Sequence, residues 1–270
     1  MKEVILKSVY SRLAPDSTTS SFINQRRLSA HQSRTYQLLN NSDLDVVFNT
    51  ALTGDGKSLA AYLPALRDNR CTMGLYPTNE LSRDQEGQVN NYVSHLSLTL
   101  HKQRVCRLSS EQLTEYASAS DVTRQGELLR QLQEREILLT NPDIYHLIMN
   151  GYYLRQNDAR DKVFSTLIKN FSLTVFDEFH VFSAPQIVSV VNAMLLTRAT
   201  HGTGRKFLFL SATPSKQLRE NLERAGLRYE VVEGEYHHAL AAEAGGINLN
   251  GYRRITHQIR LSFDVIKRPD

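Results

Sequence analysis

The chain has 270 residues, 41% of them apolar, enough for a sizeable core in one large α/β domain or two small ones. A net charge of +4 leans mildly toward a polyanionic partner, but lysine and arginine are spread along the chain and fit a solvated basic surface equally well. The two cysteines, Cys71 and Cys106, have neither CxxC spacing nor a histidine cluster nearby, and no apolar run matches a signal-peptide core or a membrane span, so a soluble cytoplasmic protein without disulfides or zinc fingers is expected.

In chain order, Glu3 to Leu13 alternates as a strand, and the serine- and threonine-rich piece from Asp16 to Ser21 reads as a loop. A helix is predicted from near Ser29 through Tyr36 and Leu39, stopping at Asn40 and Asn41. The apolar strand Val46, Val47, Phe48 then feeds a glycine-containing turn, and Lys57 opens a helix through Leu59 and Leu63. This order of strand, glycine turn and Lys-Ser helix start is a phosphate cradle. Gly54 and Gly56 permit the tight turn, and Thr53, Gly54, Asp55 and Gly56 present backbone groups to phosphates. Lys57 is placed to reach the β- and γ-phosphates of ATP, and the Ser58 hydroxyl to hold Mg²⁺. Ala51 stands where GxxxxGK[ST] has its first glycine; it stays small but gives up easy access to positive φ.

The unit then repeats. Strand Thr72 to Tyr76 ends in Pro77-Thr78-Asn79-Glu80-Leu81, where a helix starts. Strand Gln103 to Leu108 precedes a polar stretch and a helix from Asp121 to Arg135, and strand Ile137 to Leu139 meets Thr140-Asn141-Pro142-Asp143. Pro142 to Phe171 is mostly helical, interrupted by Gly151 and the charged patch Arg155 to Lys162. Strand Ser172 to Phe176 carries no charge and is largely apolar, hence read as central and covered on both faces, and ends in Asp177-Glu178-Phe179-His180. A helix from Pro185 to Leu196, strand Lys206 to Leu210 with Ser211-Ala212-Thr213, a helix from Ser215 to Ala225 and strand Tyr229 to Val232 follow. Residues 237–250 give no clear order, and Arg254 to Ile266 alternates as one long strand.

Strands alternating with helices imply βαβ crossovers and a mostly parallel sheet covered by helices on both faces. The cradle, PTNEL, TNPD, DEFH and SAT each follow a strand directly, so all five fall on the carboxyl edge of that sheet, where ligands bind. There Asp177 is expected to hold Mg²⁺ and Glu178 to orient and deprotonate the attacking water, with Lys57 completing the catalytic set. His180 is placed to link the nucleotide pocket to Ser211 and Thr213. Gln32 offers a carboxamide for the adenine edge, with Gln37 as a rival. Pro77, Thr78, Asn79, Thr140, Asn141 and Pro142 suit phosphate contacts on a single nucleic-acid strand, although Thr, Asn and Asp also simply cap helices. None of the nine histidines is followed by aspartate, and GxSxG and HExxH are missing.

In this order the motifs AxxGxGKS, PTNEL, TNPD, DEFH and SAT resemble the first RecA-like domain of a superfamily 2 DExH helicase, over roughly Gln32 to Thr213. Alanine at the position of Ala51 is common in that superfamily. The TALTGDGKSLA loop and DEFH box look most like the CRISPR-associated helicases of type I systems, subtype I-D in particular, which lack a fused His-Asp nuclease. The resemblance implies ATP and Mg²⁺ as cofactors, single-stranded nucleic acid (DNA favoured) as partner, and a guide-RNA surveillance complex and a separate His-Asp nuclease subunit as further partners. It divides the chain into an N-terminal strand and loop (1–30), the ATP-binding domain (31–235) and a segment leading toward a second RecA-like domain (236–270). Nothing after Thr213 matches that second domain's motifs; Arg253 and Arg254 read as strand-flanking rather than as arginine fingers. A general DExH RNA helicase, and a nucleotide-dependent docking module with negligible turnover, are the alternatives; a metabolic kinase leaves SAT and PTNEL unexplained.

Overall fold

The structure, a computed structural model, describes residues 2–15, 27–40, 43–95, 105–149, 157–201, 204–211, 216–240, 249–257 and 259–263. Its centre is a seven-stranded parallel sheet. In chain order the strands are β3 (Val46–Asn49), β4 (Thr72–Leu75), β5 (Val105–Arg107), β6 (Ile137–Thr140), β7 (Leu173–Asp177), β8 (Lys206–Leu210) and β9 (Tyr229–Val232), β1 and β2 lying in the N-terminal segment described below. Their spatial order is β5-β6-β4-β7-β8-β3-β9, so the apolar strand before DEFH is the middle one, as its composition requires. Every neighbouring pair is parallel, and the strand ends are level: Asp177 and Asn49 both lie beside Leu210, and Leu75 lies beside Phe176 and Thr140.

Alternate residues of each strand build two cores. Val46, Phe48, Phe176, Phe207 and Phe209 face helices α4 (Ser110–Ala119), α5 (Arg124–Glu134), α6 (Pro142–Met149), α7 (Asn157–Asn170), α8 (Ala184–His201) and α9 (Lys216–Arg224). Val47, Leu173, Val175, Leu208 and Leu210 face α1 (Ala30–Leu39), α2 (Lys57–Asp68) and α3 (Asn79–His95). The first core is aromatic at its heart: Phe209 stacks between Phe48 at 5.1 Å and Phe176 at 4.7 Å, and Phe179 meets it edge-on at 4.7 Å.

Helix α4 lies where a polar stretch was expected. Its start is fixed by a capping box in which the Ser109 hydroxyl accepts from the Gln112 N–H while the Gln112 carboxamide oxygen accepts from the Ser109 N–H.

Both chain segments outside the parallel sheet form strands that pair with each other. β1 (Lys2–Leu6) is antiparallel to β12 (Ile259–Phe263), and β2 (Ser8–Arg12) lies between β10 (Tyr236–Ala239) and β11 (Tyr252–Thr256). The single strands expected over Glu3 to Leu13 and Arg254 to Ile266 are thus two strands each, the unassigned residues 237–250 begin inside β10, and the charged patch expected to break the helix after Pro142 is helical from Asn157; residues 258 and 264–266 lie outside the described residues. Among the described residues no helix is long and apolar enough to cross a membrane.

Candidate active site

The phosphate loop runs from the end of β3 to α2. Gly54 and Gly56 take φ of +88° and +80°, the left-handed region that favours glycine. Ala51 is fully buried and has no positive φ, so its position demands smallness rather than glycine's freedom. Its N–H donates to the Asn49 side-chain oxygen at 3.1 Å, and its carbonyl accepts from Lys57 Nζ at 2.8 Å. Lys57, only 7% exposed, therefore stores its charge at the loop's own entrance.

Facing the loop, β7 delivers Asp177 and Glu178. The Asp177 carboxylate accepts from the Glu178 N–H at 2.8 Å and is 6% exposed. Burial, then the neighbouring Glu178 charge, pushes its pKa up to about 6, against the opposing pull of the Glu178 N–H and Lys57. Glu178 sits at φ 46°, ψ 41°, a left-handed conformation that costs a side-chain-bearing residue about 1–2 kcal/mol. The reason lies one residue on. Phe179 plunges into the aromatic core while Asp177 still belongs to the strand, so the backbone must turn sharply at Glu178 to satisfy both. Strain of this kind, held by packing, is characteristic of reacting sites. His180 Nδ1 lies 3.3 Å from Glu178 Oε2 and 3.4 Å from Ser211 Oγ, which joins the loop after β7 to the end of β8. Thr213, expected in the same relay, lies outside the described residues.

Thr53, Gly54, Gly56, Lys57, Ser58, Asp177 and Glu178 line one cleft of about 250 Å³. Leu81 of PTNEL also lines it, as do three residues outside the motifs, Tyr76, Gln85 and Gln88. Gln85 and Gln88 are one turn apart on α3, so helical spacing from PTNEL was the available signal. Gln85 Oε1 is buried without a hydrogen-bond partner among the described groups, an acceptor that a ligand or water in the cleft would satisfy. The Tyr76 hydroxyl shares a 2.6 Å hydrogen bond with that of Tyr62, and burial holds both phenols neutral, well above their ordinary range.

Two expected ligand contacts are corrected. Gln32 is 1% exposed and turned to the back of the loop: its Nε2 donates to the carbonyls of Gly56 at 3.0 Å and Asp55 at 3.3 Å, and its Oε1 accepts from the Ser29 N–H at 2.9 Å. Its carboxamide is thus spent on holding the loop and starting α1, not left open for a base. Asp55 offers no backbone group to the cleft either: its N–H donates to the Leu52 carbonyl at 3.2 Å and its carbonyl accepts from Gln32, while its side chain points to the back of the loop. It is fully buried and accepts from Ser11 Oγ at 2.6 Å and His31 Nε2 at 3.2 Å.

On the same sheet edge, Asn141 Nδ2 donates to Asn79 Oδ1 at 3.1 Å while Asn141 Oδ1 caps α6 by accepting from the Ile144 N–H at 2.8 Å. Thr78 is exposed, its hydroxyl accepting from the Leu81 N–H, and Pro77 is half-buried beside it. Thr140 and Pro142 do not present side chains here: the Thr140 hydroxyl is buried and donates to the Leu108 carbonyl at 2.8 Å, and Pro142 is buried as the first residue of α6. Each belongs to the junction of β6 with its neighbours, which closes over them.

A parallel sheet with a glycine loop, lysine and Asp-Glu pair at its carboxyl edge defines a RecA-like nucleotide-binding domain. The sequence profile of the DEAD/DEAH box helicase family matches residues 29–221, and the chain belongs to that family. Solved structures agree on the fold. The chain is similar to the DUF1998 helicase MrfA bound to DNA at 19% identity and a TM-score of 0.59, covering 86% of this chain and 32% of that one. A DEAD box protein from the hyperthermophile Methanococcus jannaschii gives 16% identity and a TM-score of 0.55 over 84% of this chain and 57% of that one. Mss116p bound to single-stranded RNA and AMP-PNP gives 16% and 0.55 over 77% of this chain and 40% of that one. The chain thus spans about a third of the length of MrfA. A search of curated protein sequences gives no match.

Proposed function

We propose that this chain is the ATP-binding portion of a helicase that hydrolyses ATP to move along single-stranded nucleic acid, DNA favoured. The observation that carries the reading is the meeting of Lys57 and Ser58 with Asp177 and Glu178 around one cleft, on the same sheet edge as the Asn79–Asn141 pair. The residues fit Mg·ATP. Loop N–H groups and Lys57 supply donors and positive charge for phosphates, while the Ser58 hydroxyl and the Asp177 carboxylate supply oxygen ligands of the kind Mg²⁺ takes. When bound, Mg²⁺ neutralises charge on the phosphates. Glu178, turned into the cleft by its strained backbone, is the base that orients and deprotonates water. His180 carries the position of Glu178 to Ser211, and α3 joins the cleft, through Gln85 and Gln88, to the strand-binding edge at Asn79. These two connections couple hydrolysis to grip on the nucleic acid.

The test is ATPase activity of the full-length protein with and without single-stranded DNA. Stimulation is expected, together with loss of turnover in Lys57→Ala and Glu178→Gln; activity indifferent to DNA, or surviving either substitution, would overturn the proposal. Matched DNA and RNA strands decide between a DNA and an RNA enzyme, since phosphate contacts report the sugar poorly. The 270 residues alone are expected to bind nucleotide but turn it over slowly, because an arginine finger is worth about 10³–10⁵ in rate and none is placed as one among the described residues.

The likeness of the TALTGDGKSLA loop and DEFH box to subtype I-D helicases supports a role in CRISPR type I interference, alongside a separate His-Asp nuclease. Recruitment of the full-length protein to a guide-RNA complex opened on target DNA is the measurement; no recruitment rejects that role and leaves the helicase reading standing.

A further inference from the structure

Asp55 is an unexpected residue for a phosphate-binding loop, and its surroundings explain it. Leu52, Thr53 and Gly54 are exposed and Asp55 is buried, yet the backbone of Leu52, Asp55 and Gly56 is held from behind. The Leu52 N–H donates to the Tyr236 hydroxyl at 2.7 Å. Asp55 Oδ2 accepts from Ser11 Oγ and His31 Nε2, and Asp55 Oδ1 lies 3.5 Å from Arg253 Nη2. The Gln32 carboxamide takes the Asp55 and Gly56 carbonyls. Ser11, Tyr236 and Arg253 sit on β2, β10 and β11, one on each strand of the small antiparallel sheet. A fully buried carboxylate is costly unless paired, and here the pairing is the attachment. His31 is itself held, with its Nδ1 3.0 Å from Asn49 Nδ2 at the end of the strand that enters the loop.

We infer that Asp55 is a positioning residue through which the antiparallel sheet built from the two ends of the chain sets how tightly the phosphate loop binds nucleotide. The sheet holds residues 52 and 55 from behind, Gln32 on α1 holds 55 and 56, and Thr53, Gly54 and Gly56 are left lining the cleft. By linkage, nucleotide on the loop stabilises the sheet in return. The inference rests on the reading of this loop as the nucleotide site.

The experiment uses the full chain and a non-hydrolysable ATP analogue with Mg²⁺, titrated by calorimetry. Asp55→Ala is expected to bind the analogue about ten- to a hundredfold more weakly, the range for losing hydrogen bonds to a charged group. Tyr236→Phe, which removes one hydroxyl and keeps the ring, weakens binding severalfold, and Asp55→Asn, which keeps an acceptor for Ser11, recovers part of the loss. Arg12→Ala, which removes only an exposed ion pair with Glu235 on the same sheet, leaves affinity unchanged. The analogue is also expected to slow amide hydrogen exchange at residues 236–239 and 252–256 in the wild type but not in Asp55→Ala, a response that a merely structural role does not produce. Should Asp55→Ala fail to fold, Tyr236→Phe and the wild-type exchange pattern carry the test. Wild-type affinity in both Asp55→Ala and Tyr236→Phe, or exchange in the sheet indifferent to the analogue, would overturn the inference while leaving the helicase reading intact. A wild-type chain that binds no analogue overturns both.

Discussion

The Gln32 side-chain nitrogen donates to the Gly56 carbonyl across 3.0 Å, and a Cβ placed on Gly56 would come within 2.5 Å of that same nitrogen. Space and backbone both therefore demand glycine. Gly56→Ala is expected to cost about 1–2 kcal/mol for the left-handed conformation, plus the displacement of Gln32. Gly54→Ala, whose Cβ meets nothing within 4 Å, bears only the first of these. Urea unfolding of both variants, with Gln32→Ala combined with Gly56→Ala, checks this: the double variant should regain the steric part of the loss and not the conformational part.

Asp177 gives stability a pH dependence of predictable sign. Its carboxyl, raised to about 6 in the fold by burial and then by Glu178, binds a proton more tightly there than in the unfolded chain. Folding is therefore penalised above that value, and the penalty fades as pH falls through 6 toward the unfolded value of about 3.9. In protein free of nucleotide and divalent cations, Asp177→Asn should be more stable than the wild type at pH 7.5, by up to about 3 kcal/mol, with the two converging near pH 4. Melting temperatures across that range test it; a variant less stable at neutral pH refutes the prediction. Asp55 runs the opposite way. Burial raises its pKa, but hydrogen bonds from His31 and Ser11 outweigh burial and hold it below its ordinary value, so its contribution is present near neutrality and lost on acidification.

Asn141 serves two structures at once, the cap of α6 and the bridge to Asn79. Asn141→Ala should cost about 1 kcal/mol of stability through the lost cap. In the full-length protein it should also raise the concentration of single-stranded DNA needed to stimulate the ATPase while leaving nucleotide affinity unchanged. Fluorescence anisotropy with a labelled strand, beside nucleotide titration, separates the two effects, and equal losses in both would reject the assignment.

What could be read in the sequence was local. The largely apolar run Ser172 to Phe176 announced a central strand, the glycines at 54 and 56 announced a turn, and the polar motifs announced which sheet edge carries chemistry. What could not be read were orientations decided by distant residues. Asp55 sits in a loop whose local pattern says ligand, yet its partners Ser11 and Arg253 are 44 and 198 positions away. Gln32 has the right spacing for base recognition, but the Ser-x-x-Gln box at Ser29 and the proximity of Gly56 claim both ends of its carboxamide. The antiparallel pairings of β1 and β2 escaped notice for the same reason, whereas the Ser109–Gln112 box before α4 was a legible helix start.

The clamp on Asp55 also has an order in time. During synthesis, β2 leaves the ribosome long before its partners: Arg12 must wait 223 residues for Glu235, roughly ten to forty-five seconds at ordinary elongation rates. Nascent chains that end before Tyr236 already carry Lys57, Asp177 and Glu178, but their phosphate loop lacks Tyr236 and Arg253 behind it. Translation thus supplies the chemical groups early and the parts that hold the loop in shape last.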